Sequence, residues 1–171
     1  MKTVGSILDP STIDFQRVVA DQEAIRRAVP QRYEMELLTA VVYSDPERRI
    51  CAAYKDLSTD DFWARGHMPG FPLLPGVLQC EAAAQLSTYF AVSQRLTGGQ
   101  PIVFAALDEV RFRGPVQPPA RLLIVMQATK VRASVLISRF ECFVNGQVVS
   151  DGILKGVAMP ISGESLGRSA G

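Results

Sequence analysis

The 171-residue chain has almost no excess of one charge, and it has only three cysteines and one histidine. Its 18 Lys and Arg against 17 Asp and Glu give no basic surface for a nucleic acid or a membrane. Cys51, Cys80 and Cys142 are widely spaced and include no Cys-x-x-Cys pair, which argues against a structural zinc site and indicates reduced thiols in a cytoplasmic protein. The composition is compatible with small neutral or thioester-linked substrates.

Long apolar runs and a targeting segment are also missing. The longest apolar stretch, Val77 to Val92, is interrupted by Gln79, Glu81 and Gln85 and is shorter than the roughly 20 residues of a membrane-spanning helix. The N-terminal MKTVGSILDPSTIDF lacks the basic-then-apolar order of a signal peptide, and its acids argue against a transit peptide. We therefore expect a protein that is not exported and interpret the apolar stretch as a buried helix.

The chain does contain enough apolar material, 47% of its residues, to form the core of one domain. We predict an N-terminal arm over residues 1–20, the domain itself over 21–160, and a flexible tail over 161–171, where small residues offer too little apolar surface to become ordered. No internal repeat or low-complexity linker indicates a second domain.

Local patterns predict one long helix among β-strands. Acids come early and arginines late in residues 21–29, so a short helix is expected there, ended by Pro30. A hairpin is predicted over 35–57, around a turn at Ser44-Asp45-Pro46. The long helix begins at Gly76 and is expected to end at the glycine pair 98–99. Four β-rich runs follow, over 101–112, 121–131, 133–144 and 147–159, with a hairpin signal at Asn145-Gly146.

The long helix is apolar around nearly its whole circumference, which implies burial on most sides. A curved antiparallel sheet wrapped around the helix would provide that burial. The sequence therefore predicts an α+β protein with the arrangement known as the hotdog fold.

The only histidine of the chain and an acid among alanines lie in GHMPGFPLLPGVLQCEAAAQ, residues 66–85. His67 precedes a proline and glycine bend that can hold an imidazole over a cavity, although a lone histidine is more often a structural or surface residue. Burial among apolar neighbours would favour the neutral form of Glu81, whereas the alternative is a carboxylate that only complements the helix dipole. An imidazole base and a protonated carboxyl together suit an elimination or a hydration.

Gly76 is a third candidate, at the start of the long helix. Its unshielded N–H, with the helix dipole behind it, could hold a thioester carbonyl while negative charge develops on the oxygen. The alternative is an ordinary turn glycine after Pro75.

Three segments resemble one enzyme family. HMPGFPLLPGVLQCEAAAQ closely resembles the signature HFPGxPxxPGVLxxEAxAQ of the 3-hydroxyacyl-[acyl-carrier-protein] dehydratases of FabZ type, which are hotdog enzymes of type II fatty-acid synthesis. VPQRYEMELLTAVV is similar to the LPHRYPFLLVDRV segment of that family, and FAALDEVRFRGPV to its FxGIDxxRFxxPV strand. The resemblance covers most of residues 25 to 158.

The resemblance implies a specific reaction and assembly. His67 would be the catalytic histidine and Glu81 the catalytic acid for converting a (3R)-hydroxyacyl carrier-protein thioester into the trans-2-enoyl thioester. Gly76 would supply the carbonyl-binding amide. The two catalytic groups of one site would come from two subunits, so a homodimer is expected, commonly assembled as a trimer of dimers, and no metal or organic cofactor is needed.

The remaining predictions concern the substrate pocket and the carrier protein. Val77, Phe71, Leu73 and Leu74 are candidate lining residues, and Arg111, Arg113 and Arg132 are candidates for meeting the acidic carrier. The chain departs from the family pattern at Met68, Phe71 and Pro118-Pro119-Ala120, which affects chain-length preference and carrier docking rather than the catalytic groups. A hotdog acyl thioesterase and a non-catalytic acyl-binding subunit are the alternative functions.

Overall fold

A six-stranded antiparallel sheet and a long helix dominate the computed structural model, which describes residues 5–98, 100–132 and 134–159. The helices are α1 (Gln22–Ala28) and α2 (Gly76–Ser93), with short 3-10 turns at Pro10–Thr12 and Tyr33–Met35. The strands are β1 (Ala40–Asp45), β2 (Ile50–Leu57), β3 (Ile102–Phe112), β4 (Ala120–Arg132), β5 (Val135–Val144) and β6 (Gln147–Ala158), in the order β1-β2-β4-β5-β6-β3. The predicted hotdog architecture is confirmed.

Strand β4 is apolar from Leu122 to Met126 because both faces of the sheet are covered there. Side chains alternate between the two faces of a strand, and those of Leu122, Ile124 and Met126 join the core formed with α2. Those of Leu123 and Val125 join a second cluster on the opposite face. A strand that is buried on both faces therefore has an uninterrupted apolar sequence.

The N-terminal segment covers that second face. Ile7 and Ile13 are buried against Val42, Ile50 and Phe143 of the sheet. The N–H of Ile7 donates to the buried carboxylate of Glu141 at 2.9 Å, and Val41 of β1 bonds to Ala20. The described part of the predicted arm, residues 5–20, thus packs on the domain, while the predicted tail over 161–171 lies outside the described residues.

The turn between β1 and β2 lies later than the sequence indicates. Ser44 and Asp45 are the last two residues of β1, and the turn spans residues 46–49. The side chain of Asp45 accepts a hydrogen bond from the N–H of Arg48 at 2.9 Å, which closes the turn, and Arg49 has a left-handed φ of 56°. The aspartate acts from the end of the strand, so the predicted turn was placed too early.

Helix α2 ends before the glycine pair that was expected to end it. The N–H of Leu96 donates to the carbonyl of Ala91, and that of Arg95 donates to the carbonyl of Val92. Arg95 takes the left-handed conformation, with φ of 53°, that glycine usually takes in this type of helix end. The helix therefore stops at Ser93 with an arginine in the glycine position.

Two further findings concern the described residues. Cys51, Cys80 and Cys142 are free and buried. Among the described residues, no helix is both long and apolar enough to span a membrane.

Candidate active site

The loop between β2 and α2 holds His67 by its backbone on both sides. The N–H of His67 donates to the carbonyl of Trp63, and its carbonyl accepts from the N–H of Leu73, both at 2.8 Å. Met68 and Phe71 bond to each other through their backbones, and Gly70 between them has a left-handed φ of 76°. Trp63 is buried and anchors this loop in the core, so the histidine stands on a fixed bend, as predicted.

The imidazole of His67 has a defined proton arrangement. Its Nδ1 lies 2.7 Å from the backbone carbonyl of Leu73. Because a carbonyl can only accept, Nδ1 carries the hydrogen of the neutral ring and Nε2 keeps its lone pair. The side chain is exposed, and among the described residues Nε2 has no hydrogen-bond partner. This nitrogen is therefore available to remove a proton from a bound molecule.

The N-terminus of α2 carries N–H groups without acceptors. Pro75 precedes the helix and gives no side-chain cap, and the first turn contains no acid. Leu78 donates to the carbonyl of Pro75 at 3.0 Å, whereas Gly76 and Val77 have no acceptor within the described part of the chain. A Cβ atom at Gly76 would lie 2.6 Å from the ring of Phe112, so a larger residue here would have to displace that exposed ring.

Glu81 differs from the isolated carboxyl that its alanine neighbours indicated. Its Oε1 accepts hydrogen bonds from Nε2 of Gln31, at 2.8 Å, and from Nε2 of Gln85, at 2.9 Å. The side chain is half-buried beside these amides rather than enclosed by apolar groups. Gln85 follows Glu81 by four residues and so shares its helix face, which the sequence could have revealed. Gln31 comes from a distant segment and gave no such signal.

The single chain does not join the two candidate catalytic groups. No hydrogen bond links His67 and Glu81 among the described residues, because the histidine contacts Leu73 and the glutamate contacts the two glutamines. The predicted pocket residues also differ in environment, since Val77 is 68% and Phe71 50% exposed. Leu74 is 5% exposed and belongs to the main core, while Leu73 is half-buried.

The arginines predicted to meet a carrier protein are exposed, and two of them are paired. Arg111 and Arg113 both form ion pairs with Asp151 on the neighbouring strand β6. Arg132 is exposed at the end of β4. Asp151 therefore offsets part of the positive charge of the first two.

Strand β3 forms one edge of the sheet and carries exposed apolar side chains. It pairs with β6 on one side, and its other side pairs with no strand within the described residues. Phe104, Leu107 and Phe112 are between 43% and 53% exposed. We call these three residues the β3 edge; its Phe112 lies against Gly76, next to the candidate site.

Comparisons with known proteins agree with this architecture. The model of the FabA-like domain family matches residues 29–152. The 3-hydroxyacyl-[acyl-carrier-protein] dehydratase FabZ of a Hydrogenobaculum species is 32% identical over 136 residues, covering 78% of this chain and 91% of that protein. The enzyme of the same name from Clostridium beijerinckii is 32% identical over 128 residues, covering 74% and 90%.

Solved structures show the same fold at lower sequence identity. A chain of the dehydratase heterocomplex ApeI:P from Xenorhabdus doucetiae superposes with a TM-score of 0.65 at 20% identity, covering 83% of this chain and 94% of that one. The PaaI protein of the Escherichia coli phenylacetic acid degradation operon superposes with a TM-score of 0.54 at 15% identity, covering 68% and 80%.

Proposed function

The chain belongs to the FabA-like family, and from this premise we propose that it dehydrates (3R)-3-hydroxyacyl thioesters of acyl carrier protein to trans-2-enoyl thioesters. Its relatives from Hydrogenobaculum and Clostridium are named for that activity. The reaction belongs to type II fatty-acid synthesis or a related pathway. The observation that carries the assignment to His67 is the bond from Nδ1 to the Leu73 carbonyl, which leaves Nε2 as a base.

His67 removes the proton from C2 of the substrate through Nε2. The bond between C2 and that hydrogen breaks, and its electron pair moves toward the thioester carbonyl. The Leu73 carbonyl stabilises the imidazolium that forms, because it still accepts the hydrogen on Nδ1. The backbone N–H of Gly76 holds the thioester oxygen as charge develops there, with the dipole of α2 behind it.

Glu81 supplies the proton for the leaving group. As the bond between C3 and its hydroxyl oxygen breaks, Glu81, which must carry a proton at this step, transfers it to that oxygen, and water leaves while the double bond between C2 and C3 forms. Glu81 is then a carboxylate and His67 an imidazolium, so one proton must return from the histidine to the glutamate before the next turnover. No net proton is consumed.

We assign the two groups of one site to two subunits of a homodimer. Three observations support this assignment: no hydrogen bond joins His67 and Glu81 among the described residues of one chain, the β3 edge is exposed and apolar, and Phe71 and Val77 are exposed beside the candidate groups. A cavity between α2 and strands β3, β5 and β6 measures about 20 Å³, which is room for a water rather than for an acyl chain. A second subunit would supply the remaining wall of the acyl-chain pocket.

We extend the proposal to the substrate pocket, the carrier protein, the assembly and the location. Phe71 and Val77 would line the pocket, whereas Leu74 would act only through the core behind it. An acidic carrier protein would meet the exposed Arg132 and the partly neutralised Arg111 and Arg113. The proposal includes a homodimer that can assemble as a trimer of dimers, which the resemblance supports, and a cytoplasmic location, which the free cysteines support.

Substitution of the two proposed groups tests the function. We expect His67→Ala and Glu81→Gln each to lower turnover by about 10²-fold or more, with an unchanged melting temperature. The assay follows enoyl formation and thiol release from 3-hydroxyacyl carrier-protein thioesters together, so that hydrolysis is separated from dehydration. Turnover near the original rate in both variants, or thiol release as the main product, would contradict the proposal.

Mixing the two variants tests the divided site. If the site is divided, each heterodimer of a His67→Ala and a Glu81→Gln subunit contains one site with both original groups. Partial recovery of activity after subunit exchange is expected. If exchange is demonstrated by mass spectrometry and no activity returns, the two groups of one site belong to the same chain.

A further inference from the structure

The hydrogen bonds around Glu81 point to Gln31 and Gln85 as positioning residues that determine which oxygen of this acid carries its proton. Both glutamines donate to Oε1 of Glu81. The inference rests on the proposed role of Glu81 as the acid and identifies how the chain directs that acid toward its substrate.

The amide of Gln85 has only one possible orientation. Its Oε1 accepts from the backbone N–H of Leu37 at 3.1 Å, and its Nε2 donates to the backbone carbonyl of Met35 at 2.8 Å. A backbone N–H can only donate and a backbone carbonyl can only accept, so rotation of this amide by 180° would break both bonds. Gln85 therefore presents an N–H, and never an oxygen, to Glu81.

Gln31 adds a second donor from outside the helix. It lies in the segment between α1 and β1, and its Nε2 is 2.8 Å from Oε1 of Glu81. Its own Oε1 is buried and has no hydrogen-bond partner among the described residues. Among the described residues, the only hydrogen bond of this side chain is the one that its nitrogen donates to Glu81.

Two donors on one oxygen decide where the acidic proton resides. In a neutral carboxyl, the carbonyl oxygen is the better acceptor, and the other oxygen carries the hydrogen. Because Oε1 accepts from both glutamines, the proton occupies Oε2. The same two bonds also suit the carboxylate left after proton transfer, so neither glutamine has to move during the reaction. Oε2 of Glu81 is thus the atom that delivers the proton.

A double-variant comparison tests this role. We expect Gln31→Met to lower kcat about 10-fold with KM within twofold, and Gln31→His, which keeps an N–H donor, to restore most of the rate. In a Glu81→Gln background, the carbonyl of the new glutamine can still accept from both donors but the side chain has no proton to deliver. There, Gln31→Met should lower the residual kcat less than twofold, because Gln31 acts through the proton of Glu81.

Gln85→Met is the second variant, and Gln79→Met is its matched control. Gln79 is also buried on α2, but its Oε1 accepts from the hydroxyl of Ser150 of β6, and among the described residues it makes no hydrogen bond to Glu81. Gln85→Met should lower both the melting temperature and kcat. Gln79→Met should lower the melting temperature and leave kcat within twofold, so a loss of stability alone does not account for the loss of rate.

The outcomes are separable from those of the proposed function. Equal losses from Gln31→Met in the two backgrounds, or no loss in the original chain, would overturn the positioning role. Full activity in the Glu81→Gln variant alone would instead remove Glu81 as the acid.

Discussion

The two ends of the sheet are completed in different ways. At the end formed by β1, β2 and β4, side chains on both faces are buried, and the residues Ile50 to Ala53 and Leu122 to Met126 are all at most 4% exposed. At the other end, all eleven residues of β3 are described and none of them is buried. Helix α2 covers the inner face, so the difference arises from what lies on the remaining surfaces.

The covered end is closed by the chain's own N-terminal segment, through Ile7 and Ile13. The β3 edge has no such cover, although it lies beside Gly76 and the start of α2. A free strand edge with apolar side chains pairs readily with another chain. One end of this sheet is therefore a finished surface, whereas the other, next to the candidate site, is an uncovered apolar strand edge.

A charge on the β3 edge should have the largest effect. We expect Leu107→Lys to yield monomers in light scattering and to lower turnover about 100-fold or more, because a site divided between subunits loses its acid or its base. Leu107 is 45% exposed in one chain, so the folded monomer should survive the change.

Val18→Lys is the matched control for that change. Val18 is 53% exposed, but it lies on the N-terminal segment at the finished end of the sheet. This variant should remain dimeric and active. A dimeric and fully active Leu107→Lys variant would show that the β3 edge does not form the subunit interface.

Removal of apolar cover from the finished end should have an intermediate effect, on stability instead of assembly. We expect Ile13→Ala to lower the free energy of unfolding by about 2 kcal/mol, the lower end for an isoleucine in a core, because Ile13 closes the edge of the second cluster. Denaturant unfolding measures this loss. Val18→Ala should change stability by less than about 0.5 kcal/mol. Equal effects of the two substitutions would mean that the segment does not cover the sheet in solution.

The smallest effect is expected at the polar contact that holds the same segment. The guanidinium of Arg121 bonds to both carboxylate oxygens of Asp56, at 2.6 and 2.8 Å, and lies over the rings of Tyr54 and Phe15. Arg121→Met should cost about 1 kcal/mol, since the pair is largely exposed and the ring contacts are weak.

Salt separates the two parts of that contact. High salt screens the ion pair but not the packing of the rings, so the difference between Arg121→Met and the original chain should shrink as salt increases. A difference that does not change with salt would assign the whole effect to packing.

Short continuous patterns of the sequence were sufficient to predict the fold. The apolar circumference of α2 and the signal at Asn145-Gly146 led to the helix and to the β5-β6 hairpin. Isolated features were not predictable in the same way. Ile7 and Ile13 have no periodic neighbours, so nothing in the sequence indicated that they cover a sheet. Arg95 ends α2 through backbone bonds that most residues can make, and the glycines beyond it were the more visible signal.

The same difference in predictability applies to the residues of the candidate site. His67, Gly76 and Glu81 lie within fifteen residues and could be proposed from one segment. The partners of Glu81 could not all be proposed from that segment, because Gln31 is 50 residues away along the chain. Contacts of that separation depend on how α1, β1 and α2 pack, and a single sequence contains no direct record of that packing.

The hydrogen bond between Ser6 and Glu141 can form only late in synthesis. The two residues are 135 positions apart, so the N-terminal segment leaves the ribosome well before the surface that receives it. At usual translation rates the interval is roughly 7 to 27 s. During that time Ile7 and Ile13 can pack only on β1 and β2, through Val42 and Ile50, and they stay incompletely covered until β4 and β5 have emerged.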